Sequence, residues 1–164
     1  MIEIERTYLV KSLPENLESY PHQEISQGYL SELPDPLRVR SLGTKFELTK
    51  KVNRSSDKST AEEITISING TEFNRLWSLV IRSLEKTRYL IPISSSLTAE
   101  LDVFRGKLEG LAFVEVEFQS PQQMVEFKPP EWFGTDVTEE ELSSNFFLTN
   151  KSFDEINSLM TRFK

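Results

Sequence analysis

The sequence predicts an α+β fold in which about eight strands, enough to close a small barrel, carry a few packed helices. Three observations lead there. Apolar and polar residues alternate with period two along much of the chain, the pattern of half-buried strands. Several of these strands place two charges of one sign at i and i+2, on a single face: Glu3/Glu5, Arg38/Arg40, Lys86/Arg88, Glu100/Asp102 and Glu115/Glu117. Elsewhere, apolar residues recur at helical spacing and supply stripes that can cover the apolar strand faces.

The bulk properties bound the answer. At 164 residues the chain is expected to be one domain over 1–164, with a substantial core. No apolar run is long enough to span a membrane, and the acidic N-terminus lacks the features of a signal peptide. The absence of cysteine removes disulfides, zinc–thiolate sites and thiol catalysis, and fits a cytoplasmic protein. A formal charge of −7 argues against broad nucleic-acid binding, which needs surplus basic charge facing phosphates. A small polyanion is still compatible, where basic residues converge or metal ions bridge.

The first strand is Ile2-Glu3-Ile4-Glu5-Arg6-Thr7-Tyr8 and runs to about Val10. Leu13-Pro14 and Pro21 punctuate the chain before a second strand, Glu24 to Leu30. Pro34-Asp35-Pro36 is a rigid turn into Leu37-Arg38-Val39-Arg40-Ser41-Leu42. Gly43-Thr44 turns the chain into the next strand, 45–52, which carries Lys45, Glu47 and Lys51 on one face. Asn53 to Thr60 reads as a mobile loop. Glu63 to Ile68 is the most regular strand, ended by Asn69-Gly70. A helix follows, with Thr71 as N-cap and Phe73, Leu76, Trp77, Val80, Ile81 and Leu84 as its stripe. Lys86 to Ile91, Glu100 to Phe104 and Phe113 to Phe118 are extended again, and the remainder reads as helical or irregular. Ser120-Pro121, Thr138 with Glu141, and Ser152 with Glu155 mark helix starts.

Two arrangements accommodate the charged faces. In one the sheet is open and its charged face is solvated, with exposed cross-strand pairs contributing little. In the other it closes with the charges inward and the helices outside. Such a lumen carries a large electrostatic cost. A ligand of both signs offsets that cost: a polyphosphate with divalent cations, its phosphates taken by Arg and Lys and its Mg²⁺ or Mn²⁺ by carboxylates. Five same-sign pairs in scattered strands favour the second arrangement. Other chemistries fit poorly. His22 is the lone histidine and suits a surface role, and no nucleophile elbow, P-loop or dinucleotide fingerprint is present. Glu139-Glu140-Glu141 is a favourable first helical turn.

Along essentially its whole length the chain also resembles the CYTH superfamily, the triphosphate tunnel metalloenzymes. The marks occur in family order: Glu3-Ile4-Glu5-Arg6, Gln27-Gly28-Tyr29-Leu30, Arg38-Val39-Arg40, Leu48-Thr49 leading to Lys51, Lys86-Thr87-Arg88-Tyr89, and Glu100-Leu101-Asp102-Val103-Phe104 with Gly106. Gly110-Leu111 leading to Glu115-Val116-Glu117, Trp132-Phe133-Gly134 with Asp136-Val137-Thr138, and Ser144-Asn145 complete the set.

The resemblance implies a closed eight-stranded antiparallel β-barrel with helices packed outside, forming a tunnel for a triphosphate and for Mg²⁺ or Mn²⁺. It implies metal ligation by Glu3, Glu5, Glu115 and Glu117, with Glu100 and Asp102 as further candidates. The triphosphate cradle would be Arg38, Arg40, Lys51, Lys86 and Arg88, and the catalytic candidates are Glu5, Tyr29 and Glu117; Glu63 matches an acidic position of the fifth strand. The implied activity is metal-dependent hydrolysis of inorganic triphosphate to pyrophosphate and phosphate. The alternatives are a class IV adenylyl cyclase, a thiamine or nucleoside triphosphatase, or a catalytically weak binder of polyphosphate or nucleotide, in a monomer or homodimer. The chain departs from the family pattern at Thr7, where the signature lysine is expected, and at Ala61 and Thr65, where relatives often carry a basic and an acidic residue.

Overall fold

The computed structural model describes residues 2–32, 36–52 and 60–163. Its strands are β1 (Ile2–Val10), β2 (His22–Tyr29), β3 (Leu37–Leu42), β4 (Lys45–Val52), β5 (Thr60–Ile68), β6 (Arg82–Pro92), β7 (Thr98–Phe104), β8 (Ala112–Glu117) and β9 (Phe133–Asp136). The α-helices are α1 (Gly70–Trp77), α2 (Pro121–Glu126), α3 (Asn145–Leu148) and α4 (Phe153–Met160). The turn at Pro34-Asp35 and the loop over 53–59 lie outside the described residues.

Among the described residues, nine strands form one antiparallel sheet in the order β5-β4-β3-β2-β6-β7-β8-β1-β9. The expected count of eight is therefore corrected to nine. β9 falls in a stretch that the sequence leaves helical or irregular, because Phe133-Gly134-Thr135-Asp136 has no alternation to read. It is held by proximity: a Cβ on Gly134 would stand 2.9 Å from Leu9 Cβ and 3.0 Å from the Leu9 carbonyl oxygen. Along the edge of β1 away from β8, β5 pairs with Ile2–Ile4 and β9 with Tyr8 and Val10. Between them the Thr7 carbonyl accepts from Val137 N at 2.8 Å, and Thr7 N donates to Thr138 Oγ1 at 3.0 Å.

Two apolar clusters flank the sheet. On the outer face Tyr8, Tyr89, Leu101, Val114 and Val116 are buried beneath Met124 of α2 and the following segment with Phe127 and Phe133. The inner-face cluster corrects the expectation that all helices pack outside. Leu9, Leu84, Phe104 and Phe113 are buried against Val137, Leu142, Leu148 and Ile156, from α3, α4 and the turns before them. In a strand, i and i+2 share a face. These four apolar residues are therefore same-face neighbours of Thr7, Lys86, Asp102 and Glu115. Four adjacent strands change from polar to apolar at one level, and the C-terminal helices fill the apolar end.

Local chemistry accounts for the helix boundaries. α1 is capped by Asn69, not Thr71. Asn69 Oδ1 accepts from Glu72 N at 3.0 Å and Glu72 Oε2 accepts from Asn69 N at 2.8 Å. The helix stops at Trp77; Ile81 is exposed and Leu84 belongs to β6, so the predicted stripe runs on past the helix. Ser120 and Ser152 cap α2 and α4 as expected. Thr138 caps no α-helix, and Glu141–Ser143 is a 3₁₀ turn. On β5, Ile64 and Ile66 are 57% and 54% exposed, so alternation here marks a strand whose outer face is uncovered.

Candidate active site

A cavity of about 330 Å³ opens on the inner face of the sheet. Of the residues singled out from the sequence, Glu3, Glu5, Tyr29, Arg38, Arg40, Glu63, Lys86, Arg88, Glu100, Glu115 and Glu117 line it. Period two turns the members of each same-sign pair to this face of the sheet, and antiparallel register sets the pairs side by side. Lys51 stands opposite Glu63 in the β4–β5 register, and its side chain lies outside those described.

The two signs are segregated. On β3, Arg38 and Arg40 form the basic side. Arg38 Nη2 donates to Glu63 at 2.9 Å and Arg40 Nη2 donates to Glu47 at 2.9 Å. The Nε atoms of both arginines are buried without a protein hydrogen-bond partner. Burial, reinforced by Arg40, lowers the Arg38 pKa even though Glu63 and Glu3 oppose the change. Two neighbouring guanidinium groups in a desolvated wall, each with a donor left over, fit a polyanion.

The acidic side lies on β1, β7 and β8. Glu5 stands directly opposite Glu117, and Glu100 opposite Glu115. Like charges opposite one another are destabilising. Burial raises the pKa of Glu100 to about 7 against the pull of Arg88, and desolvation followed by the charge of Glu5 raises that of Glu117. Among the described residues no three carboxylate or histidine side chains stand ready to enclose a metal ion. The donor set nevertheless fits a hard divalent cation: it is all carboxylate oxygen, and a cation relieves the repulsion that the register imposes.

Asp102 is set apart from the other expected ligands, none of its atoms lining the cavity. It lies below the cavity, 1% exposed, with both oxygens occupied. Its Oδ1 accepts from Arg88 Nε at 2.7 Å, and its Oδ2 accepts from Arg88 Nη2 at 2.7 Å and Lys86 Nζ at 2.5 Å. Burial opposes its ionisation, but the Arg88 and Lys86 charges hold its pKa below the usual carboxylate range. It is a counterion for two cations, not a free donor. Arg88 also donates to Glu100 through Nη1 and to Glu115 through Nη2, the latter at 2.6 Å. It thus spans three carboxylates instead of standing free for an anion.

Sequence reasoning assigned no role to several lining residues. Gln27 and Thr49 face the cavity from β2 and β4. Thr138, Ser143, Ser144, Asn145 and Phe146 close its inner end beside Thr7, and Asn145 Oδ1 accepts from Lys86 Nζ at 3.3 Å. Gln27, Thr49, Thr138, Ser144 and Asn145 do fall within the motifs quoted above, which was the available signal. His22 takes the surface role expected of it, its Nδ1 lying 2.9 Å from the Tyr20 carbonyl oxygen.

No protein-family model matches the chain. It is 40% identical over 149 residues to an inorganic triphosphatase of Nitrosomonas europaea, covering 88% of this chain and 95% of that protein. It is 32% identical over 115 residues to an inorganic triphosphatase of Acetivibrio thermocellus, covering 68% and 70% of the two. Among solved structures, the crystal structure of the inorganic triphosphatase NE1496 matches with a TM-score of 0.67 at 38% identity, over 90% of this chain and 97% of that one.

Proposed function

The chain belongs to the inorganic triphosphatases of the CYTH superfamily, and from that premise we propose that it hydrolyses inorganic triphosphate to pyrophosphate and phosphate in the cavity. The observation that carries this reading is the segregation of charge across one small space, with Arg38 and Arg40 facing Glu3, Glu5, Glu115 and Glu117. We read β1–β8 as a closed tunnel, with support from the pairing of β5 back onto β1.

Arg38 and Arg40 hold phosphate oxygens through the donors that Glu63 and Glu47 leave open, and those two carboxylates fix the guanidinium planes. Lys51 and Lys86 add positive charge. Tyr29, on the same wall, completes the hydrogen-bonded lining beside the phosphates, its hydroxyl paired with Gln27. Glu117, with Glu5 beside it, orients the attacking water and takes its proton. The water oxygen bonds to the terminal phosphorus, the bridging P–O bond breaks, and pyrophosphate carries away the electron pair. Glu3, Glu5, Glu115 and Glu117 would hold a divalent cation, Mg²⁺ or Mn²⁺, which would supply charge neutralisation of the phosphates.

The test is phosphate and pyrophosphate release from inorganic triphosphate, ATP and thiamine triphosphate, with Mg²⁺, with Mn²⁺ and with EDTA. Metal-dependent cleavage fastest on inorganic triphosphate is expected, and Glu117→Gln should lower its rate by about 100-fold or more. Cyclic AMP as the main product from ATP, or an unaffected Glu117→Gln, would overturn the assignment.

A further inference from the structure

Gln27 is an unassigned polar group in the wall of this cavity. It sits on β2 and is 1% exposed. One end of its amide is used, since Nε2 donates to Tyr29 Oη at 2.7 Å. The other end, Oε1, is buried with no protein hydrogen-bond partner. A buried unpaired carbonyl is unfavourable, and an apolar side chain of this size would avoid the cost. Its register is informative. Gln27 stands opposite Arg40, and Tyr29 opposite Arg38. The unpaired amide oxygen therefore shares a patch of wall with the unpaired Nε donors of Arg40 and Arg38. Arg40 stands opposite it on β3 and Leu84 on β6, with Lys86 two residues further along the same face of β6; Phe146 of α3 stacks edge-on against Tyr29 at 5.0 Å between ring centres.

A carboxamide can reverse its polarity by half a turn about its terminal bond. In the orientation described, Gln27 presents an acceptor and its N–H fixes a lone pair of the Tyr29 oxygen. In the reversed orientation Oε1 accepts the Tyr29 O–H, and Nε2–H is presented alongside the Arg40 and Arg38 Nε–H groups. We propose that Gln27 is the positioning residue of this site, its amide reversing when a phosphate oxygen arrives so that the anion and the Tyr29 hydroxyl are both held by one side chain. An O–H on the occupant instead satisfies the amide as it stands. Gln27 thereby ties the direction of the Tyr29 proton to the protonation state of the bound phosphate. The inference rests on the triphosphatase reading for its substrate.

The experiment compares Gln27→Met and Gln27→Glu with the wild type, each also combined with Tyr29→Phe. Inorganic triphosphate turnover and its equilibrium binding are both measured from pH 5 to 9. Gln27→Met, close in volume and without an amide, should lower kcat about tenfold, and adding Tyr29→Phe should lower it no further. Gln27→Glu presents a neutral amide-like acid when protonated and a repelling carboxylate when not. Its binding of inorganic triphosphate relative to wild type should therefore weaken tenfold per pH unit above the pKa of the new group, and recover below it. A ratio independent of pH, or independent losses from Gln27→Met and Tyr29→Phe, overturns the proposal. If wild type binds triphosphate without hydrolysing it, the functional reading fails while the pH dependence of binding still decides the role of Gln27. Melting temperatures of the variants at each pH separate loss of fold from either result.

Discussion

Asp102 and Glu100 are two residues apart on one strand face, yet they carry opposite electrostatic consequences. Removing Asp102 leaves Lys86 and Arg88 buried without their shared counterion, so Asp102→Ala should cost about 3–5 kcal/mol, read from the urea midpoint at neutral pH. Its lowered folded-state pKa means that this stabilisation is present above the unfolded carboxyl value and is lost only as acid brings the pH down through the folded value. Glu100 has the reverse sign. With a folded-state pKa near 7, raised from 4.5, the folded protein holds more protons than the unfolded one between those values. Stability should therefore fall as pH rises from about 4.5 to about 7. Glu100→Gln should flatten that slope in denaturation curves taken across the range. The sequence places both residues on the charged face and does not separate them by depth. A subtler signal existed, since Asp102 precedes Phe104 at i+2, and the residue bordering the apolar end is the one without water.

At the level of the elements, strand identity was legible because alternation and paired charges agree over most of β1, β3, β6, β7 and β8. The ends and partners of elements were less so. α1 stops after Trp77 although the apolar spacing continues: Val80 packs on Gly28, Ile81 is exposed and Leu84 enters the inner-face cluster from β6. β2 has Gly28 where Trp77 and Val80 close onto the sheet. A Cβ there would lie 2.6 Å from Val80 Cγ2 and 2.9 Å from Trp77 Cζ3. Gly28→Ala should destabilise by about 1–3 kcal/mol in thermal melts, with partial recovery in the Gly28→Ala/Val80→Ala double variant. No local pattern announces this contact, which depends on α1 folding back over β2. Thr138 is similar. Its sequence context reads as a helix cap, whereas it accepts from Thr7 N and donates to Asp136 Oδ1 at 2.6 Å, fastening β1 to the segment after β9.

Across the whole molecule, opposite charges gather on one surface because the strands that carry them are neighbours in the sheet order, β3-β2-β6-β7-β8-β1, although scattered in sequence. The convergence of Arg38 and Arg40 with Glu5 and Glu117 was legible as a pattern of pairs. Which member sits deep, and what closes the far end, depended on long-range packing that periodicity does not encode. The apolar level formed by Leu9, Leu84, Phe104 and Phe113 is filled by Leu142, Leu148 and Ile156. Among the described residues that filling closes the apolar end of the chamber. A product that lingers inside occupies the place the next reactant needs. Pyrophosphate should therefore act as a competitive inhibitor of triphosphate turnover, raising the apparent KM and leaving kcat unchanged in initial-rate measurements. A noncompetitive pattern would mean that pyrophosphate binds elsewhere than in the triphosphate site.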